Sequence, residues 1–449
     1  MPAPPPHHPV PRGHLTMTAP LPRPEGPVRV ALAGAGNRGL TYTDWINAHP
    51  GRARLTAVAD PLPAARARAA AGAAGPVAEF DDWRGLLPGP GGERIADAVL
   101  VCTQDRDHVE PVLALARAGY ALLTEKPLAP GEEETRRLVE GVLGTGVPFA
   151  VCHVLRYTPY TDLVKGVVDS GVLGTVTGIE HLEPVGWWHY AHSYVRGPWR
   201  SEAASSPMIL AKSSHDLDWI AYVTGRRIET VASFGSLAHF RPENAPEHAA
   251  TTCLACPEAV ETACPYSARK LYYPALRGTG GAWPVSHVTD RAHGPEDEAV
   301  LTEALRSGPY GRCVYHADND VVDNQVVAMR LSGGITGTFT MSAFTEQTHR
   351  QTRIFGSHGW LRGDGERVTV HDFRDDTVTV HETEATGSNA AEGHGGGDTV
   401  LIASFVDALA TGDLSLIRSG PLDSLGSHLA AFAAERSRHH GTVEQVPAS

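Results

Sequence analysis

The chain has 449 residues, 42% of them hydrophobic and 20% charged, so it reads as a soluble globular protein too long for one ordinary core. Its formal net charge of −13 excludes broad binding to nucleic-acid phosphates. The longest apolar runs, such as residues 96–102, have strand length, which excludes a helical membrane span.

Residues 1–27 are rich in proline and lack the apolar core of a signal peptide, so a disordered extension is expected there. Without an export signal, the six cysteines belong in a reducing, cytoplasmic setting, where disulfides are disfavoured. Residues 28–33 (VRVALA) form a short apolar run that ends on a glycine-rich turn, and a helical stretch over 40–48 follows. A second apolar run over 55–59 ends at Asp60, and an Ala/Arg-rich helix starts at Ala64. Residues 96–102 and 120–124 read as further strands, with a helix over 108–118 between them. Such alternation predicts a doubly wound parallel sheet covered on both faces, occupying about 28–150.

Beyond 150 the pattern changes. Helices are expected over 160–170 and 215–224, and strands over 174–183, 230–240, 325–331, 335–342, 353–355 and 377–381. Gly333-Gly334 marks a hairpin between two of these. Two helices from about Thr399 and Leu422 close the chain, after a loop over 388–398 that is flexible by composition. The expected class is therefore α/β: a Rossmann-type parallel sheet, then an α+β region (151–449) with an open, mostly antiparallel sheet. A Cys-rich insertion over about 241–320 interrupts the second part.

Gly34-Ala35-Gly36-Asn37-Arg38-Gly39 matches G-x-G-x-x-G. The first glycine permits the tight turn, the second admits a pyrophosphate, and the third allows close strand–helix packing. The following helix offers free N–H groups to phosphate. Asp60, 21 residues after Gly39, ends the next strand. An acid there accepts ribose hydroxyls and repels a 2′-phosphate, which favours NAD over NADP. Lys126, in Thr124-Glu125-Lys126-Pro127, follows a strand at the ligand-facing edge of such a sheet. Desolvated there, it is a candidate for exchanging a proton with a substrate hydroxyl. Its bland alternative is a surface lysine in a loop.

The glycine turn, Asp60, Cys102-Thr103 with His108, and Glu125-Lys126-Pro127 together resemble the Gfo/Idh/MocA family of NAD(P)-dependent sugar and cyclitol oxidoreductases. The likeness continues through Arg156-Tyr157-x-Pro159, Gly171-x-x-Gly174, His215-Asp216-x-Asp218 and residues 353–363. It implies that Lys126 contacts both nicotinamide and substrate, and that Asn37, Arg38, Thr103, His108 and Glu125 belong to the cofactor site. It also implies an open C-terminal sheet that floors the pocket and forms a homo-oligomer surface. His215 is placed by the resemblance as a proton donor and acceptor; the alternative is a buried, hydrogen-bonded helix-start histidine. Many family members carry an aspartate four residues before this histidine. Here that residue is Ala211. Lys212 lies three residues before His215, so a continuous helix puts both on one face, and a second cation lowers the pKa of both lysines. Lys212 is therefore a candidate for binding or deprotonating substrate, against a solvated helix-start lysine. Asp216 and Asp218 are explained by the helix N-terminus.

Residues 186–200 (GWWHYAHSYVRGPWR) are dense in aromatics and donors. His189, His192, Arg196 and Trp199 suit a polyhydroxylated substrate, with Arg156 and Tyr157 beside them, although an oligomer interface has a similar composition. His394, in GHGGGD, is either within reach of the site or solvated. Cys253-x2-Cys256-x7-Cys264, with Cys313 after 48 intervening residues, has the look of a closed structural zinc site. Free thiols, one disulfide or an iron–sulfur centre are the alternatives. His248 and His316 are substitute ligands, and a metal-held loop is expected to bring Asn319, Asp320 or Asp323 beside the pocket. Cys102 and Cys152 read as core residues.

Three functions follow. The first is NAD-dependent oxidation of a sugar, sugar acid or cyclitol hydroxyl by hydride transfer. The second is a glycosidase or lyase that retains its NAD through transient oxidation and elimination. The third is a non-catalytic NAD-responsive binding protein.

Overall fold

The computed structural model describes residues 25–89, 91–383 and 394–449. All but the last three residues of the Pro-rich extension, and most of the 388–398 loop, lie outside them.

Six strands form a parallel sheet in the order β3-β2-β1-β4-β5-β6: β1 (Val28–Ala33), β2 (Ala53–Ala59), β3 (Ala78–Phe80), β4 (Ala98–Val101), β5 (Ala121–Thr124) and β6 (Phe149–Val151). β4 and β5 are buried along their whole length, as expected for strands covered on both faces. The order reverses beside β1, which opens the crevice where such sheets take ligands, at their carboxyl ends.

Nine strands form the second sheet in the order β14-β13-β12-β11-β7-β10-β9-β8-β15. Its members are β7 (Val176–Pro184), β8 (Ile228–Ser236), β9 (Asn324–Leu331), β10 (Thr336–Ser342), β11 (Gln351–Gly356), β12 (Gly359–Gly363), β13 (Arg367–Asp372), β14 (Thr377–Glu382) and β15 (Glu444–Gln445). Only the β7–β10 pair is parallel. β9 alternates strictly, burying Gln325, Val327, Met329 and Leu331 on one face. The helix Pro421–His440 packs against β8, the helix Ser214–Thr224 and the helix Glu132–Leu143, and so joins the two halves. Its Ala/Leu face, Leu429 to Ala434, is buried.

Two local expectations need correction, one over 208–218 and one in the insertion. The segment from Met208 to Asp218 is not one helix. Met208–Ala211 ends at Lys212, and a new helix starts after Ser213, so Lys212 and His215 do not share a continuous helical face. The aromatic segment folds as Trp187–Tyr190 followed by a wider π-type turn over Ala191–Arg196. The insertion is not a loop ordered by metal alone. It contains the helices Glu258–Ala263, Ala268–Thr279, Val285–Val288 and Glu298–Ser307 around a small core of Tyr272, Leu276, Val285, Leu301 and Leu305. Short helices punctuated by Pro and Gly hid that core from periodicity arguments.

Candidate active site

The glycine turn leaves β1 at Gly34, whose φ of +93° is a left-handed value open to glycine. A Cβ there would collide with the Cys102 carbonyl, and one at Gly39 would collide with the Gly34 carbonyl. A Cβ at Gly36 would meet no protein atom within 4 Å. That open space lies at the N-terminus of the helix Asn37–Ala48, which no side chain caps. The cradle therefore fits a dinucleotide pyrophosphate: room at Gly36 and uncapped N–H groups facing it. Asp60 accepts the Ala35 N–H through Oδ2 and the Leu62 N–H through Oδ1, both at 2.8 Å, and so holds the turn.

Arg38 has a different set of partners from the expected cofactor. Its guanidinium donates to Glu125 Oε1 at 2.7 Å and to Asp398 at 2.6 and 3.2 Å. The Tyr42 hydroxyl donates to the same Glu125 oxygen at 2.8 Å. This cluster ties the glycine turn, the strand end that carries Lys126, and the start of the helix Gly397–Thr411 into one unit. His108 is likewise a strut, with its ring nitrogens 2.7 Å from the Pro127 carbonyl and 3.0 Å from the Thr103 carbonyl. Thr103 itself donates to the Asp107 carbonyl at 3.0 Å.

Lys126 projects from the end of β5 and its ammonium donates to the carbonyl oxygen of Ala211. Burial and then the charge of Lys212 push its pKa down to about 8, against the opposing pull of Glu125 and Asp105. Lys212 is not solvated: it pairs with Glu183 at 3.2 Å. Glu183 also faces Arg350 at 2.8 Å, and Arg350 donates to Asp216 Oδ1 at 2.6 Å. His181 lies 3.1 Å from the same oxygen. Burial pushes the Asp216 carboxyl up, but Arg350 and His181 outweigh it and hold its pKa at about 2. Asp216 and Asp218 are thus ion-pair partners inside the protein rather than dipole companions; Asp218 binds Arg156 through two 2.7 Å bonds.

His215 is buried beside these groups and its Nδ1 has no partner. Burial, then Lys126, His153 and His394, hold the imidazole neutral. The ring of His153 is 5.8 Å away and that of His394 is 6.0 Å away. His189 is also held neutral by burial and by Lys212, and its Nδ1 is unpartnered too. Lys126, Lys212, His189, His215 and His394 therefore form one electrostatically coupled group at the ends of the two sheets.

The remaining substrate candidates have partners within the protein. Arg156 is committed to Asp218 and to the Arg418 carbonyl, and the Tyr157 hydroxyl to Ser419 and the Arg418 N–H. His192 stacks on Tyr310 and lies 2.9 Å from the Tyr272 hydroxyl. Arg196 donates to the Tyr266 and Arg312 carbonyls and lies 3.4 Å from Cys253 Sγ. Trp199 packs near Tyr194. Asp323, expected at the pocket, accepts the backbone N–H groups of Ala238 and His239. Asn319 donates to the Phe240 carbonyl, and Asp320 accepts from Ser201 and the Glu202 N–H. The loop after Cys313 therefore braces the insertion.

Cys253, Cys256, Cys264 and Cys313 line one cavity of about 20 Å³. The Cys313 N–H donates to the Thr251 carbonyl at 3.0 Å, which brings the two distant segments together. All six cysteines are free thiols. Among the described residues, the group with three ligand atoms within 4.8 Å of one another is Glu202, Glu435 and His439, not the cysteines. His248 and His316 are exposed and do not line the thiol cavity. The insertion also reaches the cofactor turn: His287 Nδ1 lies 3.4 Å from Asn37 Nδ2.

Sequence reasoning missed Glu183, Arg350 and Asp398. Glu183 and Arg350 sit in no motif and matter only through partners far along the chain; Asp398 closes GHGGGD, but its link to Arg38 spans 360 positions.

The chain is similar to known proteins. Putative oxidoreductase YteT of Bacillus subtilis is 23% identical over 320 residues, 68% of this chain and 71% of its own. Inositol 2-dehydrogenase of Corynebacterium glutamicum is 31% identical over 219 residues, 47% of this chain and 60% of its own, so less than two thirds of that protein is spanned. The crystal structure of scyllo-inositol dehydrogenase from Lactobacillus casei, with bound NAD(H) and scyllo-inositol, has a TM-score of 0.63 at 18% identity and covers 94% of this chain and 99% of that one. No helix among the described residues is long and apolar enough to cross a membrane. Residues 28–153 match the NAD-binding Rossmann fold of the Gfo/Idh/MocA oxidoreductase family and residues 165–419 match its C-terminal alpha/beta domain, and the chain belongs to that family.

Proposed function

We propose that this protein is an NAD-dependent oxidoreductase acting on a hydroxyl of a cyclitol, sugar or sugar acid. The observation that carries this reading is Lys126: a lysine with a pKa near 8, at the edge of a dinucleotide cradle and beside the neutral His215. Bound NAD supplies the hydride acceptor. The chain supplies orientation and proton handling. Gly34, Gly36, Gly39 and the uncapped helix hold the pyrophosphate, and Asp60 holds the ribose and disfavours NADP. Lys126, as the free amine, takes the proton of the substrate hydroxyl, and His215 receives it next. His189 and Lys212 meet the other hydroxyls. The inositol dehydrogenase relatives support a polyhydroxylated substrate.

The direct test is NADH absorbance with myo-inositol, scyllo-inositol, free hexoses and hexuronic acids. Stoichiometric NADH with at least one of them is expected. Substrate conversion without NADH would instead favour the NAD-retaining glycosidase or lyase, a reading that Ala211 keeps open. NAD binding with no conversion of any polyol would favour the non-catalytic reading.

Lys212 tunes this chemistry. In Lys212→Met the neighbouring positive charge is gone, so the pKa of Lys126 rises. The pH profile of kcat/KM for oxidation is expected to move to the alkaline side; an unmoved profile would separate Lys212 from the reaction.

The four cysteines facing one cavity support structural zinc in the insertion. Atomic emission analysis of tag-free protein is expected to find close to one zinc per chain, and less than about half would count against it. The free thiols fit a reducing, cytoplasmic setting. Phe234, Val326, Val378 and Val380 are exposed on β8, β9 and β14, which supports a homo-oligomer built through this sheet.

A further inference from the structure

The short helix Met208–Ala211, just before the one that carries His215, lacks the aspartate expected at position 211. Ala211 offers only its carbonyl, and that accepts the Lys126 ammonium. His215 Nδ1 is buried without a partner. An imidazole in that state has nothing to stabilise it once it takes a proton.

An acid-backed imidazole stands next to it, delivered from 179 residues further along the chain. The His394 ring is 6.0 Å from that of His215, centroid to centroid. Its Nδ1 lies 2.9 Å from Asp398 Oδ2. The side chain of Asp398 is 2% exposed, and Arg38 fixes its orientation with two further bonds. Burial pushes the Asp398 carboxyl up, but His394 and Arg38 together hold it far down, so it remains an anion. A carboxylate at Nδ1 fixes the tautomer that leaves Nε2 free to accept, as a buried aspartate does in an acid–histidine pair. Nε2 makes no hydrogen bond among the described residues. The backbone of His394 has φ +48°, a left-handed value uncommon outside glycine. Gly395 and Gly396, at φ +65° and +86°, continue the bend that aims this side chain inward. On its other side His394, with Arg350, His349 and His181, lines a cavity of about 40 Å³, enough for one or two waters.

From this geometry we infer that the His394–Asp398 pair is the terminal proton acceptor of the site, standing in for the acid absent at position 211. The inference rests on the oxidoreductase reading above. In the oxidation direction the substrate O–H bond breaks and its proton passes to Lys126 Nζ. The C–H bond breaks with its electron pair going to NAD⁺ as hydride, so the substrate is oxidised and NAD⁺ is reduced. The proton moves from Lys126 to His215 Nε2, while His215 passes its Nδ1 proton to His394 Nε2 through one bridging water, since the two rings stand 6.0 Å apart, centroid to centroid. The resulting imidazolium is neutralised by Asp398 and then loses the proton to water in the adjoining cavity. Arg38 ties this relay to Lys126, because the same guanidinium holds both Asp398 and Glu125.

Two measurements test the pair. The first needs no turnover: ¹⁵N NMR of histidine-labelled, NAD-loaded protein, with His394 assigned by its loss in His394→Gln. A neutral ring protonated at Nδ1 and bare at Nε2 is expected at pH 7. The opposite tautomer, or an imidazolium, would overturn the inference. The second is kinetic, on the best polyol of the panel above. His394→Ala is expected to lower kcat on the order of 10²-fold, with KM and NAD affinity near those of the wild type, and added imidazole is expected to restore part of the rate. A kcat within twofold of the wild type, or a loss that imidazole does not touch, would overturn it. If the wild type oxidises no polyol, the oxidoreductase reading fails, and the NMR result still decides whether the pair is set as described.

Discussion

Replacing Lys126 with Met is expected to lower kcat for oxidation by roughly 10²- to 10⁴-fold, the usual contribution of one positioned acid–base group. NAD affinity should change little, because the cradle at Gly34, Gly36 and Gly39 and the acid at Asp60 are untouched. The wild-type rate should climb as pH rises through about 8, where the ammonium gives up its proton to become the accepting amine. The variant should lose that limb. Steady-state kinetics over pH 6–10, together with NAD binding by fluorescence titration, check both halves. A variant within threefold of the wild type would remove Lys126 from the chemistry. The same substitution has a signature in stability. An unfolded lysine keeps its proton up to about 10.5, whereas this buried one loses it at about 8. Between those values the unfolded state binds more protons, so wild-type stability rises with pH across that window. Lys126→Met removes the cost of burying the ammonium. It should melt higher than the wild type at pH 7, and the difference should close as pH passes 10. A residue that slows catalysis when removed yet stabilises the fold is the mark of a group kept for function.

The second large effect is structural. Arg350 lies between Glu183 and Asp216 with 11% of its side chain exposed, and the Asp216 side chain has no exposed surface. Arg350→Met is expected to cost on the order of 3–5 kcal/mol in denaturant unfolding, because it removes the shared cation and leaves buried Asp216 with His181 alone and Glu183 with Lys212 alone. The triple variant Arg350→Met, Glu183→Gln, Asp216→Asn should recover much of that loss, since the expense lies in the unpaired charges and not in the missing packing. The deficit of the single variant should also shrink at lower pH. Without Arg350, the pKa of Asp216 rises from about 2, and the group is neutral in mild acid. A single variant as stable as the wild type would mean that water or Lys212 already satisfies these acids.

The two variants separate what was readable in the chain from what was not. The cofactor cradle was readable because it is local. Three glycines within six residues, a strand before them and a helix after them determine a turn whatever surrounds it, and Asp60 falls at the next strand end by the length of one βαβ unit. Lys126 was readable for the same reason: it follows directly on β5, and sheet topology sends that end of the strand to the crevice. The two-part fold was legible because strand burial has a period. The parallel strands are apolar throughout and β9 alternates.

Other features were legible only in part. The spacing Cys253-x2-Cys256-x7-Cys264 identified a cluster, and folding brings Cys313 to the same cavity. The insertion around them has its own helices and core, which short helices broken by Pro and Gly concealed. The aromatic segment was recognised as dense in donors, but its polar atoms divide between two environments. His189 lies within the field of Lys212, while His192 and Arg196 anchor the insertion.

What the sequence by itself determined is the short-range machinery: the glycine turn, the acid after β2 and the lysine after β5. What only the tertiary structure decided is which charges meet. Arg38 and Asp398 are 360 positions apart, Asp216 and Arg350 are 134 apart, and His215 finds His394 only through the packing of the last third of the chain. The reason is physical. A turn conformation depends on the residues within it. A buried charge takes whichever opposite charge the fold brings within about 3 Å, and spacing along the chain carries no record of that choice.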